Sequence, residues 1–135
     1  KGKNRKNEPW MIAVEIPDLE STGNKITRWA VHLENKAMAT SGDYRNYYEI
    51  DGVRYSHEID PRTGYPAQTG VASATVIAPN CMDADALATA LIIMGTESGL
   101  QLVEKLDDVE AFLILREGND NYRTIKSSGM KISTL

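Results

Sequence analysis

The order of hydrophobic patterns predicts an α+β fold, with mixed or antiparallel sheets and two consecutive helices. Three observations carry this expectation. Strand-like alternation fills both ends of the chain, two helical repeats follow one another in its second half, and strands and helices do not alternate as they would in a doubly wound parallel sheet. The 135 residues suffice for one core, and a content of 41% hydrophobic and 25% charged residues excludes a disordered chain.

Taken in order, Trp10 to Ile16 reads as a strand and "EIPDLESTGNK" as a polar loop containing Pro17 and Gly23. "ITRWAVHLENKAMATSG" reads as two strands about a tight "ENK" turn. In the first, Ile26, Arg28, Ala30 and His32 share one face, and Thr27, Trp29, Val31 and Leu33 share the other. "NYYEIDGVRYSHEI" is a hairpin, because Asp51-Gly52 supplies the positive φ angles of a two-residue turn. "VASATVIAP" is a further strand, and "MDADALATALIIMG" is a helix that stops at Gly95. A second helix, "ESGLQLVEKL", places Leu100, Val103 and Leu106 on one side; the strand "VEAFLIL", the turn "REGNDN" and a last strand "YRTIKSS" follow.

The net charge of −4, from 15 basic and 19 acidic residues, lacks the basic footprint that neutralises a phosphate backbone, so nucleic acid is not an expected partner. The single cysteine, Cys81, excludes an internal disulfide and a thiolate-built zinc site. No apolar run approaches the ~20 residues that span a bilayer. The opening "KGKNRKNEPW" has no initiator Met and runs straight into an apolar strand, which reads as part of a longer protein.

Three stretches hold residues capable of chemistry. On a helix, Asp85 and Thr89 lie roughly 40° apart around the axis and one turn apart along it. A carboxylate and a hydroxyl on one face are hard oxygen donors of the kind Mg²⁺ takes, completed by water and phosphate oxygens. The alanines at 84, 86, 88 and 90 would keep that surface low. The structural alternative is that Asp83 or Asp85 caps the helix and Thr89 bonds back to its own turn. In "HEIDPRTGYP", His57 can move a proton near neutral pH or bond a phosphate, whereas Asp60-Pro61 and Gly64 make turns without any function and Arg62 can be simply solvated. His32 shares a face with Arg28 and reads as partly exposed and uninvolved. In "ATSGDYRNYYE", Asp43 is a possible base, but the segment is equally a loop running into a strand.

Together, "ATSGDYRNYYEIDGVRYSHEIDPRTGYP", "VIAPNCMDADALATALIIMG" and "ESGLQLVEKL", in that order, resemble the ApbE family of FAD:protein FMN transferases, over nearly the whole chain. The resemblance implies a T-fold-like ApbE domain of which residues 1–135 form the C-terminal portion. It also implies a periplasmic, often lipid-anchored bacterial enzyme that splits FAD with Mg²⁺, attaches FMN to a Thr or Ser of a target protein and releases AMP. The acceptor would be a protein such as a membrane redox subunit, and the N-terminal portion of the same enzyme would be the other partner. Asp85 and Thr89 match the family's metal ligands; His57 and Ile59 match the segment lining the flavin pyrophosphate, with His57 the catalytic candidate. Ala88 stands where some members have Asp. Stretches resembling "GGIAKGYA" and "NAGGD" are not found in this chain. With no orienting carboxylate identifiable, His57 is expected to position the pyrophosphate rather than act as base. The alternatives are an FAD pyrophosphatase giving FMN and AMP, or a non-catalytic FAD-binding lipoprotein.

Overall fold

The computed structural model of the chain describes residues 2–17, 27–44, 46–118 and 121–135. Its centre is a four-stranded sheet in the order β10-β9-β8-β3, formed by β3 (Ala37–Gly42), β8 (Val71–Ala78), β9 (Glu110–Glu117) and β10 (Asn121–Lys126). All eight residues of β8 are buried. The strand is flanked by β3 and β9, and both of its faces are covered, which is why "VASATVIA" is a continuous run of small and apolar side chains. A register shift between Val71 and Ser73 turns Val71 to the same side as Ala74, Val76 and Ala78.

That side packs against α1 (Cys81–Met94) and α2 (Thr96–Val103). Helix α1 buries Ala84, Ala88, Leu91 and Ile92, the i, i+4, i+7, i+8 stripe of a helix lying on a sheet. Gly95, at φ 79°, ends it, and its N–H bonds the Leu91 carbonyl. At Gly99 a Cβ would sit 2.8 Å from Leu91 Cδ2, so the close crossing of the two helices favours glycine there and a larger residue would displace the Leu91 side chain.

On the opposite side, Ile77, Phe112 and Ile114 meet Val14, Val31 and Met130. Val14 and Val31 come from a three-stranded sheet of β1 (Trp10–Glu15), β2 (Thr27–Leu33) and β11 (Ile132–Thr134), with β2 central. Trp29 of β2 stands edge-on to Phe112, with ring centroids 5.2 Å apart. Two ribbons complete the chain: the hairpin of β4 (Tyr47–Ile50) with β5 (Val53–Ser56), and the two-residue pair β6 (Ile59–Asp60) with β7 (Tyr65–Pro66).

The α+β class and the two consecutive helices agree with the sequence. Every pairing among the described strands is antiparallel, so no parallel pair accompanies them. Asp51 and Gly52, at φ 52° and 75°, make the expected two-residue turn. Helix α2 stops at Val103, so Leu106 lies beyond it and is exposed, while the Glu104 side chain at the helix end accepts two bonds from Ser128. Strand β11 was not expected: three residues are too few to show a period, and they are extended because they pair with β2. Gly23 and Ile26 lie outside the described residues.

Candidate functional site

Helix α1 is capped by Asn80, not by Asp83 or Asp85. Asn80, at φ −138° and ψ 163°, accepts the Asp83 N–H through Oδ1 at 2.9 Å, and its Nδ2 donates to Asp83 Oδ2 at 2.6 Å. The Asn80 side chain thus caps the helix and is itself held by Asp83, the acid of the first turn. Asp85 is therefore left without a capping role; it is exposed and forms no hydrogen bond or ion pair among the described residues. One turn on, the half-buried Thr89 places Oγ1 3.0 Å from Ser41 Oγ of β3. Its hydroxyl is thus tied to the sheet rather than to its own helix. Ala84 and Ala88 are fully buried against that sheet, so the expected low ligand-facing surface reduces to exposed Ala86 and half-buried Ala90. Position 88 belongs to the core face, and a carboxylate there would have to leave the core to join Asp85.

His57 follows the last residue of β5 and is exposed. Its Nδ1 lies 2.8 Å from the Asn46 carbonyl oxygen and 3.3 Å from Glu58 Oε2. A carbonyl only accepts, so Nδ1 carries the proton in that contact. The Glu58 side chain is 4% exposed, and Oε2 also accepts the Ser56 hydroxyl. Burial holds the Glu58 carboxyl above its ordinary range, and the negative charge of Asp43 adds to that, while its own backbone N–H and His57 oppose it. Glu58, the very next residue, therefore sets a carboxylate oxygen beside the His57 ring where the sequence had offered none.

The rest of the loop is built on one ion pair. Arg62 is not simply solvated: its Nε and Nη2 hold both carboxylate oxygens of Asp60 at 2.7–3.2 Å, and its backbone N–H adds a fourth bond. These bonds hold the Asp60 carboxyl below its ordinary range. Ile59, 45% exposed, faces outward opposite Pro66. Tyr55, Arg62, Tyr65, Gln68 and Ile93 line an adjoining open cleft of about 450 Å³.

The segment Ser41–Gly42–Asp43 spans the two groups. Ser41 bonds Thr89, while Asp43 forms a two-point pair with Arg116 at 2.8 and 3.0 Å and acts electrostatically on Glu58. Asp43 and Ser56 share a small cleft with Gln68, Thr69 and Ile92 of α1. Asp43 is thus committed to a partly buried salt bridge, which removes it as a free base. Among the described residues no hydrogen bond joins Asp85 or Thr89 to His57 or Ile59, and no three His, Cys, Asp or Glu side chains converge on a metal position. The donors fit Mg²⁺ as a partial set, one free carboxylate and one hydroxyl, with the remaining positions left for water and phosphate oxygens. Sequence reasoning missed Ser41, Glu58 and Arg116. Glu58 adjoins His57, but strand alternation would send the two side chains to opposite sides, and Arg116 is 73 residues from Asp43, so neither contact had a local signal.

The chain matches the ApbE family model over residues 1–113. It is 45% identical over 131 residues to an FAD:protein FMN transferase of Haemophilus influenzae, covering 97% of this chain and 37% of that protein. An FAD:protein FMN transferase of Vibrio cholerae is 43% identical, with 97% and 38% covered. Among solved structures, flavin transferase ApbE from Vibrio cholerae superposes with a TM-score of 0.75 at 41% identity, over 95% of this chain and 38% of that one. The apo form of Pseudomonas stutzeri flavinyl transferase ApbE gives 0.74 at 39%, again over 95% and 38%. The chain therefore spans little more than a third of the length of these relatives, and its sheets and helices are those of their corresponding third. On sequence and fold alike, the chain belongs to the ApbE family.

Proposed function

We propose that the protein carrying this chain transfers FMN from FAD to a Thr or Ser hydroxyl of a target protein and releases AMP, in a Mg²⁺-dependent reaction. The observation that carries this reading is Asp85: with Asn80 capping α1, an unpaired carboxylate stands exposed one turn from a hydroxyl that Ser41 holds in place. Its similarity to proteins named FAD:protein FMN transferases supplies the reaction class.

In this reading Asp85 and Thr89 would hold the metal, with the Thr89 hydroxyl donating to Ser41 and keeping its lone pairs outward. Bound there, Mg²⁺ would supply the positive charge that neutralises pyrophosphate oxygens and favours departure of AMP. His57 and the Ile59 edge line the pyrophosphate side, and Arg62, fixed by Asp60, borders the same loop. The portion of the relatives' length that this chain does not cover would grip the adenine and flavin rings. The acceptor is a protein such as a membrane redox subunit, and the place of action is the periplasmic side of a bacterial envelope, through a lipid anchor.

The test is to incubate the full-length protein with FAD and an acceptor peptide containing one Ser or Thr, with and without Mg²⁺. Transfer yields AMP together with a flavin covalently on the peptide, only when Mg²⁺ is present. Intact FAD under all conditions would refute catalysis.

A further inference from the structure

The turn after β5 places a buried carboxylate behind an exposed imidazole, apart from the proposed metal pair Asp85 and Thr89. Glu58 is 6% exposed, yet its Oε2 lies 3.3 Å from His57 Nδ1 and accepts the Ser56 hydroxyl, while the Asn46 carbonyl sits 2.8 Å from the same ring nitrogen. Burying an acid costs free energy unless something it touches requires the charge. The Glu58 backbone is fixed on both sides: its N–H bonds Ser56 Oγ at 3.2 Å, and its carbonyl accepts from the Ala67 N–H at 2.8 Å. The Glu58 backbone is therefore held at the turn, with the carboxylate bonded to Ser56 on its inner side. Asp43, the other acid that acts on Glu58, is paired with Arg116.

We infer that Glu58 is a positioning residue: with the Asn46 carbonyl it keeps the proton on His57 Nδ1, and so presents Nε2 as the acceptor for the proton of the attacking hydroxyl. This rests on the transfer reading above and replaces the purely positional role first expected of His57. In the step, the acceptor O–H bond breaks as its proton goes to Nε2. The acceptor oxygen forms a bond to the FMN-side phosphorus, and the bond from that phosphorus to the oxygen of AMP breaks, AMP leaving with the electron pair. The imidazolium, its charge balanced by Glu58, then returns the proton to AMP or to water. A hydroxyl is a poor nucleophile until its proton has somewhere to go, which is the need that an oriented imidazole meets.

The experiment uses the full-length protein as wild type, Glu58→Gln and Glu58→Asp. Initial rates of covalent flavin transfer to a Thr-containing peptide give kcat and KM for FAD, long-range ¹H–¹⁵N spectra of the imidazoles give the His57 tautomer, and thermal melts report folding. Because a positioned proton acceptor contributes roughly 10²–10⁴-fold, Glu58→Gln should lose at least about tenfold in kcat with KM within about twofold. Its His57 should show mixed tautomers where the wild type shows only Nδ1–H, and Glu58→Asp, which keeps the charge, should recover part of the rate. Full kcat in Glu58→Gln, or an unchanged single tautomer, overturns the inference while leaving the transfer reading intact. A wild-type protein that modifies no peptide overturns the transfer reading and the base role together. If Glu58→Gln does not fold, Glu58→Asp decides through the same tautomer and kcat readings.

Discussion

Replacing Asp85 with Asn separates a helix start from a metal ligand. The side chain keeps its size and loses its charge. Asn80 and Asp83 already satisfy the first turn, and Asp85 lies beyond the N-terminal residues where the helix dipole is felt. Exposed and unpaired, it should cost no more than about 0.5 kcal/mol in stability. Asn80→Ala provides the contrast: it removes the cap and should cost about 1 kcal/mol, a few degrees in the melting temperature, without touching the metal. On the functional side the order reverses. Supporting groups alone are worth 10–100-fold in metal affinity, so removing a charged ligand should cost at least about a hundredfold and abolish AMP release at Mg²⁺ concentrations that saturate the wild type. The assay is AMP release against Mg²⁺ concentration in the full-length protein, with melts in parallel. Asp85→Asn that melts as wild type and keeps normal Mg²⁺ dependence would show that the exposed carboxylate binds no metal, and the reasoning from the freed cap would be wrong.

Two further predictions rest on the same contacts. Thr89→Val removes the bond to Ser41 Oγ at nearly constant volume; it should cost about 1 kcal/mol and weaken AMP release less than Asp85→Asn, because water can replace a neutral ligand. An equal or larger loss of activity would make Thr89 the dominant group. Arg62→Ala should lower the melting temperature near neutral pH, because the pair with Arg62 lowers the Asp60 carboxyl below its ordinary 3.8. A carboxyl depressed in the folded state contributes stability above its unfolded value and loses it as the pH falls through the folded one. The gap between variant and wild type should therefore close as the pH drops below 3.8, and a gap that persists in acid would mean that Arg62 acts through packing instead.

Local pattern made most of the fold legible. Asp51-Gly52 marked its hairpin, Gly95 its helix end, and "VASATVIA" its buried strand, because turn chemistry and burial act over a few residues. Strand β11 was invisible because only pairing with β2, about a hundred residues away in sequence, makes Ile132–Thr134 extended. Asp85 and Thr89 were readable as a pair because helix geometry fixes their spacing, but which acid caps the helix was settled by Asn80, a residue outside the apolar pattern. Ser41 and Arg116 escaped notice because their partners, Thr89 and Asp43, are 48 and 73 residues distant. Glu58 escaped for a different reason: strand alternation puts neighbours on opposite sides, and only the bend after Ser56 brings its carboxylate back to the His57 ring.

In the proposed reaction a protein hydroxyl, not water, attacks the FMN-side phosphorus of FAD. This attack is tested most directly by running the reaction in H₂¹⁸O with Mg²⁺, the full-length protein, FAD and a Thr-containing acceptor, and then weighing the products by mass spectrometry. Transfer through the acceptor oxygen predicts a covalently flavinylated acceptor and AMP, neither carrying solvent oxygen, with AMP and labelled acceptor formed in equal amounts. Free FMN bearing one ¹⁸O, or AMP bearing one, with the acceptor unmodified, would make water the nucleophile and contradict the account.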